Sequence, residues 1–369
     1  ECDEGESDMC AAEGTILQHF DFSVKQDNGL GQDILKILKQ RLCDLSTFEA
    51  ALLLQLSRVQ RYEASAVQLL RKAAEHDFTY QYKMATIAWV ADLEKELLPP
   101  TSMQRVLVKV VMPRTRMGWE QLVPSIVGFA IAMLTTFCKK HAESASPAAG
   151  PRTVSQQMVL MSTKLLEGCF TMHTSVREEI MSQIFSRVIT RDDSVPHFVA
   201  LLASISSRCS RDVLDNIHKV KDAVEYVTFM SPSTAVSLLS ALAHILRLQP
   251  GLQDYVLIVL RKSLFSREAD ARLVALDCLL HLATSSAPTP PSDRAGSSTG
   301  RLAPPSEALT VELIGQLRRC MVQQAHVRQR LYDGLGDVAV TKPGMLDTVA
   351  GVIAPHLERY GAEGEGGGL

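Results

Sequence analysis

The 369-residue sequence predicts an all-α fold, a HEAT-like α-α superhelix (solenoid) built from antiparallel helix pairs. Three observations support this prediction. Apolar residues recur at helical spacing along most of the chain, while alternating strand patterns are nearly absent. Helical segments come in pairs of roughly 35 to 40 residues, the spacing of HEAT-like repeats. The sequence is also poor in aromatic residues, at 5%, as helical solenoids are.

The first part of the chain contains an acidic leader and a helical region. We expect residues 1–12 to be disordered because they begin with the acidic run ECDEGESD, and residues 13–100 to form a helical domain. One helical stripe in this domain consists of Leu52, Leu53, Leu56 and Val59. Pro99 and Pro100 cannot continue a helix, so the domain ends there.

Residues 101–283 are predicted to form the α-solenoid segment. Thr101 and Ser102 provide a cap for a helix over residues 103–112, and a long apolar helix over 119–140 and a loop over 143–152 follow. The helix pairs are then predicted over 176–190 with 198–207, over 212–229 with a helix that begins at Ser231 and Pro232, and over 254–265 with 268–283.

Residues 284–306 interrupt the helical pattern. Proline and serine at this density cannot form a packed core, so we expect a disordered loop inside the solenoid. Residues 307–360 are predicted to be the start of a further helical domain, and residues 361–369 a disordered tail. Since the sequence begins with Glu1 rather than Met, we expect it to be an internal piece of a longer protein or the product of an incomplete gene model.

Composition argues against several classes of function. The net charge of −3 does not fit a globally basic nucleic-acid-binding protein, so any such surface is local. The eight cysteines form no CxxC pair and lack the spacing of zinc ligands, which predicts no metal site and a reducing compartment. Cys169 and Cys278 lie in apolar helical patterns, where free thiols act as small hydrophobic groups. The most apolar segment, residues 123–137, is too short to span a bilayer, so we expect a core helix and no membrane partner.

No catalytic motif is present in the sequence. It contains no glycine-rich phosphate loop, nucleophile elbow or HExxH motif. The carboxylate pairs at 178–179 and 192–193 suit a helix N-terminus and a turn, respectively. Because no acid, base and nucleophile come together, we expect neither an enzyme nor a cofactor.

Clusters of basic residues are the candidates for DNA contact. Arg58 and Arg61 lie three apart and are predicted to share a helix face, as are Arg105 and Lys109. The full set of candidates is Arg58, Arg61, Arg105, Lys109, Arg114, Arg116, Lys219, Lys221, Arg318 and Arg319. These side chains either form solvated faces or line a surface that binds phosphates without reading base sequence. No aromatic residues are interleaved with them, so stacking on single strands is not favoured.

Lys262 lies on an unusually apolar predicted helix. One helical turn away are Ile258 and Val259 on one side, and Phe265 and Ser266 on the other. A lysine in such surroundings either extends its aliphatic stem past them to solvent or lies on a surface that another molecule covers. The residues alone leave both interpretations open.

Four blocks of the sequence resemble the Fanconi anemia group I family, in the same order. They are FEAALLLQLSRVQRY (48–62), SVREEIMSQIFSRVITR (175–191), LIVLRKSLFSREADAR (257–272) and LRRCMVQQAHVRQRLYDG (317–334). Family members are several times longer, and the resemblance places this chain at their first helical domain, second solenoid segment and the start of their second helical domain.

The resemblance implies a non-enzymatic nuclear scaffold of interstrand-crosslink repair. Family members pair with the paralogous Fanconi group D-two subunit and form a clamp around double-stranded or branched DNA. The pair is monoubiquitinated by a ubiquitin-conjugating enzyme with the Fanconi core ligase, and contact with a DNA polymerase is also expected. The family's acceptor lysine lies in the block that reads VLRKSLF here, which identifies Lys262 as the ubiquitin acceptor.

One family feature is missing from the sequence. Family members carry regulatory Ser-Gln sites shortly after the acceptor helix, but residues 284–306 contain no Ser-Gln or Thr-Gln pair. Ser155-Gln156 and Ser182-Gln183 lie elsewhere. The alternative to a DNA clamp is a HEAT-like protein-interaction or transport solenoid that does not bind DNA.

Overall fold

The computed structural model describes residues 4–86, 102–143, 152–190, 194–286 and 307–364. Every regular element in these residues is a helix, so the predicted all-α solenoid class is confirmed. By contacts the chain divides into two compact units, Glu1–Gln183 and Ile184–Leu369, and the division falls within the helix Arg177–Ile189.

The described helices of the first unit follow one another in sequence and pack against each other to form its core. Helix α6 packs along α7, α3 packs along α4, and α4 also contacts α7. The helices are α1 (Glu4–Gln26), α2 (Asn28–Gln40), α3 (Thr47–Leu56), α4 (Gln60–Ala85), α5 (a π-helix Arg105–Val111 continued by Met112–Arg114), α6 (Val123–Glu143), α7 (Val154–Met172) and the beginning of α8 (Arg177–Ile189).

The acidic leader is helical, and the prediction of disorder is wrong for residues 4–12. They form the first turns of α1, where Cys10 is fully buried. Trp119 donates its indole N–H to the Cys10 carbonyl oxygen at 3.2 Å. Gly14 approaches the backbone of Gly118, which has a φ of +113°, so closely that a Cβ at Gly14 would overlap the Gly118 carbonyl. These tertiary contacts stabilise a segment whose acidic composition predicted disorder.

The predicted apolar core helix is observed as α6. The expectation that this segment is too short to span a bilayer is wrong, because the helical stretch extends beyond residues 123–137. Glu120–Cys138 is long and apolar enough to cross a membrane by length and composition, with a mean hydropathy of 1.7, but 61% of it is buried inside the protein. Phe129, Leu134 and Phe137 are buried, and the helix packs against α7. This burial is that of a core helix.

The N-terminus of α5 is capped from two sides. The Ser102 hydroxyl accepts a hydrogen bond from the Arg105 N–H at 3.3 Å, as its predicted capping role requires. The Asp77 carboxylate on α4 accepts the Met103 N–H at 2.9 Å. Burial raises the pKa of Asp77, although the Met103 and Gln81 hydrogen bonds act in the opposite direction.

The second unit continues the helical pattern. Helix α14 contacts α12, α13, α15 and α16, and therefore lies at the centre of the unit. The helices after α8 are α9 (Val195–Arg208), α10 (Ser210–Asp215), α11 (Ile217–Glu225), α12 (Pro232–Leu248), α13 (Pro250–Leu264), α14 (Ala269–Ser286), α15 (Glu307–Cys320), α16 (Ala325–Thr341) and α17 (Leu346–Gly364).

One predicted helix is divided into shorter ones. Residues 212–229 form parts of α10, α11 and the 3-10 turn Val227–Phe229 instead of a continuous helix. The Asn216 side chain donates a hydrogen bond to the Asp212 carbonyl at 3.0 Å, and side chains of this type compete with the helical backbone for such bonds. The helix that begins at Ser231 and Pro232 is confirmed, since the Ser231 hydroxyl accepts the Thr234 N–H at 3.2 Å.

The remaining differences lie at segment ends. Residues 284–286 belong to α14, while residues 287–306 of the predicted loop lie outside the described residues. Helix α17 extends through residues 361–364, which were predicted to belong to a disordered tail. The predicted domain boundaries at residues 100, 283 and 306 stay predictions.

Candidate functional site

Lys262 lies in the last turn of α13, on the side that faces solvent. Pro250 begins this helix at a position where its missing N–H costs no hydrogen bond. The opposite side of α13 is buried against α14 through Val256, Leu260 and Leu264. The charge of Lys262 is favourable near the helix C-terminus, where the helix dipole is negative.

The end of α13 is held by side chains from the following elements. Gln323 donates its amide to the Leu264 carbonyl at 2.9 Å, which satisfies one of the terminal carbonyls of the helix. Arg272 on α14 donates to the Ser266 carbonyl at 3.0 Å and to the Gln324 amide oxygen at 2.7 Å. These bonds fix the backbone directly after Lys262.

Large apolar side chains surround the lysine on the surface. Ile258 and Phe265, one turn before and after it, are 55% and 63% exposed. Phe229 is 59% exposed and its ring lies 6.5 Å from that of Tyr226, which is 48% exposed. The apolar surroundings predicted for Lys262 are therefore present, and they are turned toward solvent instead of the core.

Lys262 opens onto a groove of about 600 Å³ within the second unit. Its wall combines the exposed rings of Phe229 and Phe265 with the carboxylates of Glu225 and Glu268. The other lining residues are Thr228, Val259, Ser263, Ser266 and Ala271. Within the described residues the Lys262 amine makes no hydrogen bond or ion pair, so it is available for chemistry.

Glu225 is held at the edge of this groove by Tyr255. The Tyr255 hydroxyl donates to Glu225 Oε1 at 2.6 Å, and Lys221 Nζ lies 5.5 Å from the centre of the Tyr255 ring. The hydrogen bond to Glu225 is the main reason why the pKa of Tyr255 is raised. Sequence reasoning missed Glu225 and Phe229, because only the helix packing brings them beside Lys262. It also missed Tyr255, which lies on the same helix as Lys262 and holds Glu225.

The predicted DNA-contact residues of the first unit differ in their position on the helices and in their exposure. Arg58 precedes α4 and Arg61 lies in its first turn, so the prediction that they share a helix face is wrong. The break occurs because α3 ends at Leu56, where the Ser57 hydroxyl donates to the Leu54 carbonyl at 2.7 Å. Three further candidates, Arg105, Lys109 and Arg116, are exposed.

Arg114 is engaged inside the first unit. Its guanidinium contacts Glu13 Oε2 at 3.1 Å and lies 5.2 Å from the centre of the Trp119 ring, and its side chain is only 17% exposed. The structure thus gives Arg114 a role in holding α1, which the basic pattern of the sequence did not predict.

The candidates of the second unit lie on α11 and α15. Lys219 and Lys221 are half-buried, whereas Arg318 and Arg319 are exposed. Arg318 also donates to the Gly351 carbonyl at 3.3 Å. Whether any of the candidates contacts DNA stays a prediction.

No metal or nucleophilic centre is found among the described residues. They contain no group of three or more His, Cys, Asp or Glu side chains that could hold a metal ion. Cys169 and Cys278 are free and buried as predicted, and burial raises the pKa of each thiol to about 12. His173 is the C-terminal cap residue of α7, and its Nε2 forms a hydrogen bond of 2.7 Å with the Thr115 hydroxyl. Burial lowers the pKa of His173. These groups are structural.

Comparisons with known proteins identify relatives over nearly the whole chain. Three family models match: FANCI helical domain 1 at residues 29–112, FANCI solenoid 2 at 122–280 and FANCI helical domain 2 at 284–366. The mouse Fanconi anemia group I protein homolog is 27% identical over 94% of this chain and 28% of its own length. The chicken Fanconi anemia group I protein is 24% identical over 94% of this chain and 27% of its own length.

The chain therefore spans somewhat more than a quarter of the length of these relatives. A match to a solved engineered protein covers 97% of this chain and 92% of that protein, with 13% identity and a TM-score of 0.29. The three family models follow one another in a single order and together cover most of the sequence. The chain belongs to the Fanconi anemia group I family.

Proposed function

We propose that this chain is part of a non-enzymatic scaffold subunit of a DNA clamp that acts in the nucleus in interstrand-crosslink repair. In this proposal Lys262 is the acceptor of a single ubiquitin. The observation that carries it is the unpaired Lys262 amine, exposed on a groove among large apolar side chains. Membership of the Fanconi anemia group I family supports the assignment to this pathway.

The chemistry of the acceptor needs only a free amine and access. Neutral Lys262 Nζ attacks the carbonyl of the thioester that joins ubiquitin to the conjugating enzyme. An amide bond forms between Nζ and the ubiquitin carboxyl carbon, the carbon–sulfur bond breaks, the thiolate leaves, and the amine proton passes to solvent. The core ligase supplies the charged conjugating enzyme and no cofactor is required from this chain.

The apolar side chains around Lys262 support pairing with the paralogous Fanconi group D-two subunit. Ile258 and Phe265 are 55% and 63% exposed, and clusters of exposed large apolar side chains are typical of protein interfaces. A subunit that covers Ile258 and Phe265 would also restrict access to Lys262, so modification would require local opening of the interface.

The same exposed cluster favours the alternative, a protein-binding solenoid that does not bind DNA. The two functions differ in salt dependence, because each phosphate contact releases counterions. If the chain is part of a clamp, the complex of the chain with its partner should bind duplex or branched DNA, and this binding should weaken steeply as ionic strength rises. Partner binding without any DNA affinity at low salt would favour the alternative.

The acceptor assignment is tested by Lys262→Arg in a reconstituted reaction with the partner subunit, DNA, conjugating enzyme and ligase. The variant should retain fold and pairing while losing ubiquitin attachment, since the guanidinium stays protonated and is a poor nucleophile. The matched control is Lys164→Arg on an exposed position of α7, which should be modified like the parent. Unchanged modification of Lys262→Arg would show that the acceptor lies elsewhere.

A further inference from the structure

The groove beside Lys262 changes its charge balance when the lysine is acylated. Its lining contains two carboxylates, Glu225 and Glu268, and Lys262 is the one cation that lines it. Formation of an amide at Nζ removes the lysine charge. The groove is then left with two carboxylates and two exposed aromatic rings, and with no cation of its own.

Both carboxylates are available to a ligand in the groove. Glu225 receives the Tyr255 hydroxyl on Oε1 at 2.6 Å, which orients its carboxylate while the second oxygen accepts no bond from the described residues. Tyr255 lies seven residues before Lys262, two turns earlier on the same side of α13. The Glu268 carboxylate makes no ion pair or side-chain hydrogen bond with a described residue.

The rings give the groove its apolar part. Phe229 and Phe265 are 59% and 63% exposed, and Val259 lines the groove beside Lys262. A volume of about 600 Å³ falls within the range of sites that hold small ligands or short peptides. The occupant that fits is extended, carries cationic side chains beside aliphatic ones, and can reach Lys262.

We infer that this groove holds the C-terminal tail of the ubiquitin attached at Lys262. This inference rests on the proposed function. In the tail of ubiquitin arginines alternate with leucines before the final glycine pair. The glycines follow the lysine stem, the leucines contact Phe229 and Phe265, and the arginines meet Glu225 and Glu268. Since the isopeptide bond tethers the tail at the groove, weak contacts suffice for high occupancy.

The groove also provides an exit for the tail beneath a covering subunit. Ile258 lies outside the groove lining, so a partner seated on Ile258 does not by itself fill the groove. Tyr255 acts here as a positioning residue, through Glu225.

The test joins the ubiquitin tail peptide to Lys262 of the whole chain by chemical isopeptide ligation and follows amide hydrogen exchange. We expect amide exchange at residues 225–229 and 265–271 to slow by roughly twofold to tenfold, because two exposed charge pairs stabilise the bound tail by only a modest amount. The slowing should be lost in Glu225→Gln/Glu268→Gln and with a tail whose arginines are glutamines. It should be retained in the control Asp254→Asn, an exposed carboxylate of α13 that does not line the groove.

A charge exchange separates binding from simple damage to the fold. Glu225→Arg/Glu268→Arg should abolish the slowing with the native tail and restore it with a tail whose arginines are glutamates. Equal protection with the native and the arginine-free tail would overturn the inference. Because the ligation is chemical, this outcome is distinct from failure of the proposed function, which appears as enzymatic modification that persists in Lys262→Arg.

Discussion

Trp119 donates its indole N–H to the backbone carbonyl of Cys10 at 3.2 Å, and so joins two segments 109 residues apart in sequence. The Trp119 ring is fully buried, and Arg114 lies over it while pairing with Glu13 of α1. Helix α1 is thereby held to the rest of the first unit by a hydrogen bond, an ion pair and a large apolar surface.

Trp119→Phe should destabilise the first unit by about 2–4 kcal/mol. The change removes buried ring volume and the indole N–H that bonds the Cys10 carbonyl. Urea unfolding measures the free-energy difference, and hydrogen exchange should show faster opening of residues 10–17. The control Phe22→Leu alters a side chain that is 63% exposed and should leave the unfolding free energy nearly unchanged. Unaltered exchange in α1 of Trp119→Phe would contradict the attachment.

Arg114→Ala should act mainly on stability, whereas Arg105→Ala should act on DNA binding. Arg114 is paired with Glu13 and packed on Trp119, so its loss should lower the unfolding free energy by about 1–3 kcal/mol. Arg105 is exposed on α5, and the proposed DNA contact predicts a shallower dependence of affinity on salt without a stability change. Urea unfolding and salt-dependent DNA titrations measure both effects. A reduced salt slope in Arg114→Ala at unchanged stability would reverse the assignment.

Gly334→Ala should destabilise the second unit, and Gly336→Ala should not. A Cβ at Gly334 would overlap the buried Leu280 side chain of α14, whereas at Gly336 it would meet open space. Overpacking costs about 1–3 kcal/mol, while alanine at an exposed helical position stabilises by about 0.5–1 kcal/mol. Thermal or urea unfolding of both variants gives the comparison. Equal effects of the two changes would show that α16 does not pack as described.

Local patterns predicted the helices well but not the tertiary contacts. The Ser231-Pro232 start of α12 was predictable because its cap involves residues three apart. The leader was mispredicted because Cys10 is stabilised by Trp119, whose proximity no local pattern encodes. Lys262 was predicted as the acceptor from its sequence block, whereas Glu225 lies beside it only through the packing of α11 on α13.

Asp77 should make the first unit less stable as pH rises. Burial raises its pKa above 3.8, so the folded state binds the proton more tightly than the unfolded chain. The contribution of this residue is therefore full below pH 3.8 and is lost as pH rises through the folded value. Asp77→Asn can still accept the Met103 N–H but does not titrate, so its stability relative to the parent should increase between pH 3 and pH 7.

Urea unfolding of the parent and Asp77→Asn across this pH range measures the difference. The control Asp77→Ala removes the acceptor for Met103 N–H as well, and should be destabilised at every pH by about 1 kcal/mol or more. Identical pH dependence of the parent and the asparagine variant would show that Asp77 titrates alike in both states. In that case the carboxylate caps α5 without a desolvation cost.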